Sequence, residues 1–132
     1  MAHCACGLRP PCRACAKNTA CKNSGCEDRL NSRYYLVLVQ YTAKIFAHNI
    51  FRLVRGLKNP PLPRKQYHFR VANAQAAQDM TGFEFNAMAP VGLKDGTAIP
   101  LLVSHLITEL PDPMVCLGGG DVDLKYATTP RG

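Results

Sequence analysis

Glycine and proline cut the second half of this 132-residue chain at positions 82, 90, 92, 96, 100, 111, 113, 118, 119 and 120. Proline removes a backbone donor and glycine loosens the main chain, so the helices and strands between these points must be short. None of the pieces is large enough to be a repeat unit or a second domain, and the length suits one compact domain. Apolar stretches run only a few residues, far below the roughly 18–20 that a membrane-spanning helix needs. The opening MAHCACGLRPPCRACAK holds charge and cysteine where a secretory signal places an apolar core. A cytoplasmic protein in a reducing compartment, with no membrane contact, is the expectation.

The first half is more continuous. Tyr34 to Gln40 (YYLVLVQ) is dense in aromatic and β-branched residues and predicts a buried strand. From His48 to Leu57 the apolar residues fall at 50, 51, 53, 54 and 57, one face of a helix, with Arg52 and Arg55 on the other side. Gly56 and the run Asn59-Pro60-Pro61-Leu62-Pro63 end that helix in a surface loop. Tyr67 to Val71 alternates as a half-exposed strand, Asn73 is placed to cap a short helix through Ala74, Ala76 and Ala77, and Thr81-Gly82 terminates it. Further on, Asp95-Gly96 signals a turn before a strand at Ile99 to Val103. Ser104 is placed to cap a helical turn reaching Leu110, which Pro111-Asp112-Pro113 ends. Met114 to Leu117 predicts a central strand running into Gly118-Gly119-Gly120. Strands and helices mix without regular βαβ alternation, so the expected class is α/β in the α+β sense: a mixed, largely antiparallel sheet with flanking helices.

Charge is unevenly spread. Of the net +7, residues 31 to 70 contribute +8: Arg33, Lys44, Arg52, Arg55, Lys58, Arg64, Lys65 and Arg70, with no acid. Residues 71 to 132 hold three basic side chains and seven acids, a balance of −4. A basic band of this kind suits a polyanion, because Lys and Arg that neutralise phosphates release counterions. Arg52, Arg55, Lys58, Arg64 and Lys65 are the candidate nucleic-acid contacts; a solvated basic surface is the alternative.

Six of the seven cysteines lie at positions 4, 6, 12, 15, 21 and 26. Cys12 and Cys15 have the spacing of a zinc-binding turn, and Cys4 with Cys6 could complete a four-sulfur set. The segment is rich in Ala, Arg and Pro and lacks the strand pattern of a zinc ribbon, so residues 1–17 are expected to be a disordered leader and residues 18–132 the domain, with no cofactor. Cys116, within MVCL, is expected to be a small buried hydrophobe. His3, His48, His68 and His105 show no i, i+4 metal pairing and receive no role.

The glycine triplet is the sharpest local feature. Three glycines after a strand allow close approach to a ligand and can present several N–H groups to one anion or oxyanion, whereas a tight turn is the commoner use of such a run. No Gly-Lys-Ser/Thr follows it and the order G-x-G-x-x-G is missing, which excludes the usual nucleotide-binding loops.

Thr81-Gly82-Phe83, Asn86-Ala87-Met88-Ala89-Pro90-Val91-Gly92 and Leu117-Gly118-Gly119-Gly120-Asp121-Val122-Asp123-Leu124-Lys125 together resemble the YbaK / prolyl-tRNA synthetase-associated editing domain family, over about residues 18 to 130. The resemblance is to the stand-alone eukaryotic type. It implies a barrel-like sheet with helices outside, and hydrolysis of mischarged aminoacyl-tRNA at the 3′-terminal ester. It also implies roles for particular residues. Gly118, Gly119 and Gly120 become the backbone donors at the scissile carbonyl, and Ala87, Met88, Ala89, Pro90 and Gly92 the wall of the aminoacyl pocket. Lys125 faces the site or the terminal phosphates, an exposed strand lysine being the alternative. The implied partners are tRNA and an aminoacyl-tRNA synthetase. One departure stands out. The family's functional lysine, just upstream of the counterpart of Asn18-Thr19, falls here among Cys12, Arg13, Ala14 and Cys15, and Lys17 does not simply inherit its place. The N-terminus therefore reads as truncated or replaced, and a noncatalytic tRNA- or synthetase-binding homologue is the alternative function.

Overall fold

The computed structural model describes residues 16–23, 32–84, 87–94, 99–110, 114–121 and 124–129. Its centre is the expected strand, β2 (Tyr34–Gln40), buried from Tyr35 to Gln40. A strand reads as continuously apolar when both of its faces are covered, and that is the case here. Tyr35, Val37 and Val39 point to one side and pack with Ile50, Val54 and Tyr67, edged by Phe51, Leu62, Phe69 and Leu102. Leu38, one step out of phase, packs on the other side with Ile107, Val115 and Leu117, edged by Leu110 and Tyr126. Period-two alternation thus divides one strand between two cores.

β1 (Ala16–Asn23) lies antiparallel to β2, from Ala16 opposite Gln40 to Lys22 opposite Tyr34. β3 (Phe69–Val71) adds antiparallel to the far side of β1, and β4 (Leu101–Val103) adds parallel to β2. The four-stranded order is β3-β1-β2-β4. β5 (Val115–Gly118) and β6 (Lys125–Thr128) form a separate antiparallel pair, with β5 running alongside β1. The architecture is mixed and largely antiparallel, as expected, but among the described residues it is two open sheets rather than a barrel. Met114 to Leu117 is likewise no central strand: β5 pairs with β6 alone among the described strands. An apolar run specifies burial, not the number of neighbours, and the second core buries this one.

Helix α1 (Ala47–Gly56) seals the first core with Ile50 and Val54, one i, i+4 row worth about 1.5–3 kcal/mol per side chain. The wider apolar face expected of it is only partly used, since Leu53 and Leu57 are 52% and 50% exposed. The polypeptide then makes a short 3-10 turn, Arg64–Gln66, before Tyr67 re-enters the core. Helix α2 (Ala74–Thr81) begins and ends as its local chemistry predicts. The Asn73 side-chain oxygen accepts from the Ala76 N–H at 2.8 Å, and Gly82 at φ 79° closes the helix by donating its N–H to Gln78. Helix α3 (His105–Thr108) is shorter than expected, and Ser104 makes no side-chain cap there. Its N–H is instead tied to the Leu38 carbonyl at 2.9 Å, continuing the β4 contact with β2.

β1 crosses the point where the expected leader gives way to the domain. The residues before Ala16, including Cys4, Cys6, Cys12 and Cys15, lie outside the described residues, as do the Asp95-Gly96 turn and Pro111-Asp112-Pro113. No described helix is long and apolar enough to cross a membrane.

Two tyrosines in the first core differ in one respect. The Tyr35 hydroxyl accepts from the Ser32 N–H at 2.7 Å, whereas the equally buried Tyr67 hydroxyl has no hydrogen-bond partner among the described residues. An unsatisfied buried hydroxyl costs stability, so Tyr67→Phe is expected to leave the urea midpoint unchanged or raise stability by about 1 kcal/mol. A fall of that size would mean that the hydroxyl is satisfied in solution.

Candidate functional site at the glycine hairpin

The three glycine-bearing segments, two nearly contiguous and the third well downstream, meet at the end of β5. Gly118 passes so close to the preceding segment that a Cβ there would sit 2.6 Å from the Met88 carbonyl oxygen and 3.9 Å from that of Ala87. Gly120, at φ 98°, turns the main chain, and a Cβ on it would lie 3.2 Å from the Phe83 ring. The same ring comes within 3.8 Å of the corresponding position on Gly92, itself at φ 71°. Phe83 therefore lies close to two glycines in the left-handed region, where an L side chain is strained.

Thr81 secures the base of this contact. Its hydroxyl donates to the Ala77 carbonyl at 2.7 Å and accepts from the Phe83 N–H at 3.3 Å, and its own carbonyl accepts from the Lys94 N–H at 3.0 Å. Sequence alone marks Thr81-Gly82-Phe83 as a turn; its service as a brace between the two other motifs is visible only in the fold.

The implied site residues separate into those that face the junction and those that support it. Gly118, Gly119 and Gly120 are all half-buried. The Gly119 N–H donates to the Leu124 carbonyl at 2.9 Å, and Leu124 in turn donates to Asp121 at 3.2 Å. The Gly119 amide is thus engaged within the hairpin, because a two-strand hairpin this tight needs that bond to close. Ala87 and Ala89 are packed, at 3% and 1% exposure. Met88 and Pro90 are half-buried and Gly92 is exposed. Lys125 stands opposite Gly118 in the β5–β6 register.

The basic band lies elsewhere. Phe51 on α1 belongs to the core under Tyr35, Val37 and Val39, whereas Leu117, next to the triplet, belongs to the core under Leu38. The two groups are on opposite faces of the four-stranded sheet. Arg52, Arg55, Arg64 and Lys65 are exposed and Lys58 is half-buried. The guanidinium carbons of Arg55 and Arg64 stand 5.8 Å and 5.7 Å from the centroid of the Phe51 ring, within cation–π range. The ring also meets Tyr67 edge-on at 5.4 Å. The i, i+4 spacing of Phe51 and Arg55 is a signal of this arrangement that the helical pattern contains. The meeting with Arg64 depends on the loop between them.

Other titratable groups contribute little chemistry. His48, His68 and His105 are exposed, and Cys116 is a free thiol, half-buried rather than buried because it alternates with the inward-facing Val115 and Leu117. Burial against the second core raises the Tyr126 phenol above its ordinary pKa and keeps it neutral at physiological pH. Among the described residues no three His, Cys, Asp or Glu side chains are grouped to hold a metal.

No protein-family model and no curated protein sequence matches the chain. Solved structures do. A scaffold protein from computational epitope backbone grafting is 22% identical, with a TM-score of 0.67, over 90% of this chain and 63% of its own. The hypothetical protein APE2540 is 19% identical, with a TM-score of 0.66, over 90% of this chain and 65% of its own. A proposed trans-editing enzyme for prolyl tRNA synthetase is 22% identical, with a TM-score of 0.66, over 90% of this chain and 62% of its own. The chain has their fold. It spans less than two thirds of the length of each, and at such identity the likeness establishes architecture alone.

Proposed function

We propose that this chain is an aminoacyl-tRNA deacylase acting in trans on the 3′-terminal ester of mischarged tRNA. The observation that carries the reading is the seating of Gly118 on the Met88 carbonyl, which brings the triplet and the small-residue segment together at one junction. The shared fold of a proposed trans-editing enzyme supports it. An aminoacyl ester is already activated, so a site accelerates its hydrolysis by positioning the ester and stabilising the oxyanion. In this reading the main chain at Gly118 and Gly120 meets the scissile carbonyl, and Met88, Pro90 and Gly92 bound the aminoacyl group. Water adds to the carbonyl carbon, the bond to the ribose oxygen breaks, and that oxygen takes the proton, releasing the amino acid and a free 3′ hydroxyl. No cofactor is invoked, Lys125 contacts the terminal phosphates, and the reaction belongs to the cytoplasm.

A panel of mischarged tRNAs incubated with the chain is expected to show at least one ester lost faster than in buffer. A second reading, a noncatalytic tRNA- or synthetase-binding homologue, is favoured by the engagement of the Gly119 amide within the hairpin. Binding without turnover across the whole panel would select it and overturn the first.

A further inference from the structure

We infer that the face formed by α1 and the Arg64–Gln66 turn is a binding surface for the phosphate backbone of helical RNA that works without the RNA's 3′ end. Three observations lead there. The stretch from residue 31 to residue 70 contains no carboxylate, so no acid within it neutralises its eight cations. Arg55 and Arg64 rest against the face of Phe51, and a ring contact orients a guanidinium while leaving its forked donors available for phosphate oxygens. Arg52 and Lys65 are exposed on the same two elements and extend the surface.

The third observation is where this surface lies. Phe51 packs into the core on one face of the sheet and Leu117 into the core on the other, so the sheet and α1 stand between the cations and the glycine hairpin. Each such layer is about 10 Å thick. A nucleic acid whose terminus occupies the hairpin thus does not present that same terminus to α1. The cations address another part of the molecule, and the backbone of a duplex is the part that offers phosphates at regular spacing with no need for an end.

Choosing RNA over other polyanions rests on the proposed tRNA substrate; the position of the surface does not. The test uses the full chain and measures, by fluorescence anisotropy over a salt series, its affinity for a blunt RNA duplex, for a whole uncharged tRNA and for a single strand ending in CCA. The duplex is expected to bind within about threefold of the whole tRNA, and the single strand more weakly. R52Q/R55Q/R64Q is expected to weaken duplex binding by about tenfold or more and to lower the salt slope by about two to three, close to one for each phosphate contact removed. R52Q/K65Q leaves the Phe51 contacts intact and keeps the test open should the triple variant fold poorly. K94Q, an exposed lysine on the Thr81–Gly82 side, is expected to change nothing. Preference for the single strand over the duplex, or an unchanged salt slope in both Arg variants, overturns the inference. Duplex binding together with an inactive deacylation panel supports this surface and removes only the deacylase reading.

Discussion

Gly118→Ala is expected to destabilise the protein by about 2–3 kcal/mol and to abolish any ester hydrolysis. The backbone of Gly118 is ordinary strand, so no conformational strain is involved. The space is already occupied: the new methyl carbon would stand 2.6 Å from the Met88 carbonyl oxygen, a main-chain atom that cannot rotate away as a side-chain tip can. Retreat of the Met88 segment is opposed by Ala87 and Ala89, buried on either side of it. The outcome differs in kind from that at Gly92, where a Cβ would find ordinary contact distance and the penalty, about 1 kcal/mol, comes from the left-handed φ of 71°. A urea titration reads both. An unchanged midpoint for Gly118→Ala would show that the two segments are not seated together, and the proposed site would lose its basis.

The second large effect is expected at Asn23. Its side chain is fully buried at the end of β1, where Oδ1 accepts the His68 N–H at 2.9 Å while its own N–H donates to Arg33 at 2.7 Å. One residue thereby ties β1 to the approach of β3 and to the entry of β2. Asn23→Ala leaves the His68 donor without its acceptor and opens a small cavity, for a loss of about 2–3 kcal/mol. Amide exchange localises the loss: His68 to Val71 should exchange faster than β2 in the variant. Equal acceleration throughout would mean that Asn23 supports the whole sheet and not the β3 edge in particular.

Elements whose cause is local are legible in the sequence. β2 announces itself because aromatic and β-branched residues fill it, and α2 because Asn73 and Gly82 supply a cap and a left-handed stop within its own turns. β1 was not legible. The segment AKNTACKN has no apolar alternation, and it is a strand because β2 and β3 offer it hydrogen-bonding edges on both sides. The exposure of Leu53 and Leu57 was equally hidden, since a helical pattern tells which side is apolar but not how far a neighbour extends to cover it.

The candidate site shows the same division. Composition and order along the chain were sufficient to establish the acid-free band and the glycine positions, because each is a property of residues near one another in the polypeptide. Whether the band and the triplet share a surface was beyond that information. It turns on the phase of side chains along β2, where Val37 enters the core beneath α1 and Leu38 enters the core beside β5. A strand reverses its facing at every residue, so packing partners many positions away decide which element covers which side, and here they place the cations and the glycines on opposite ones.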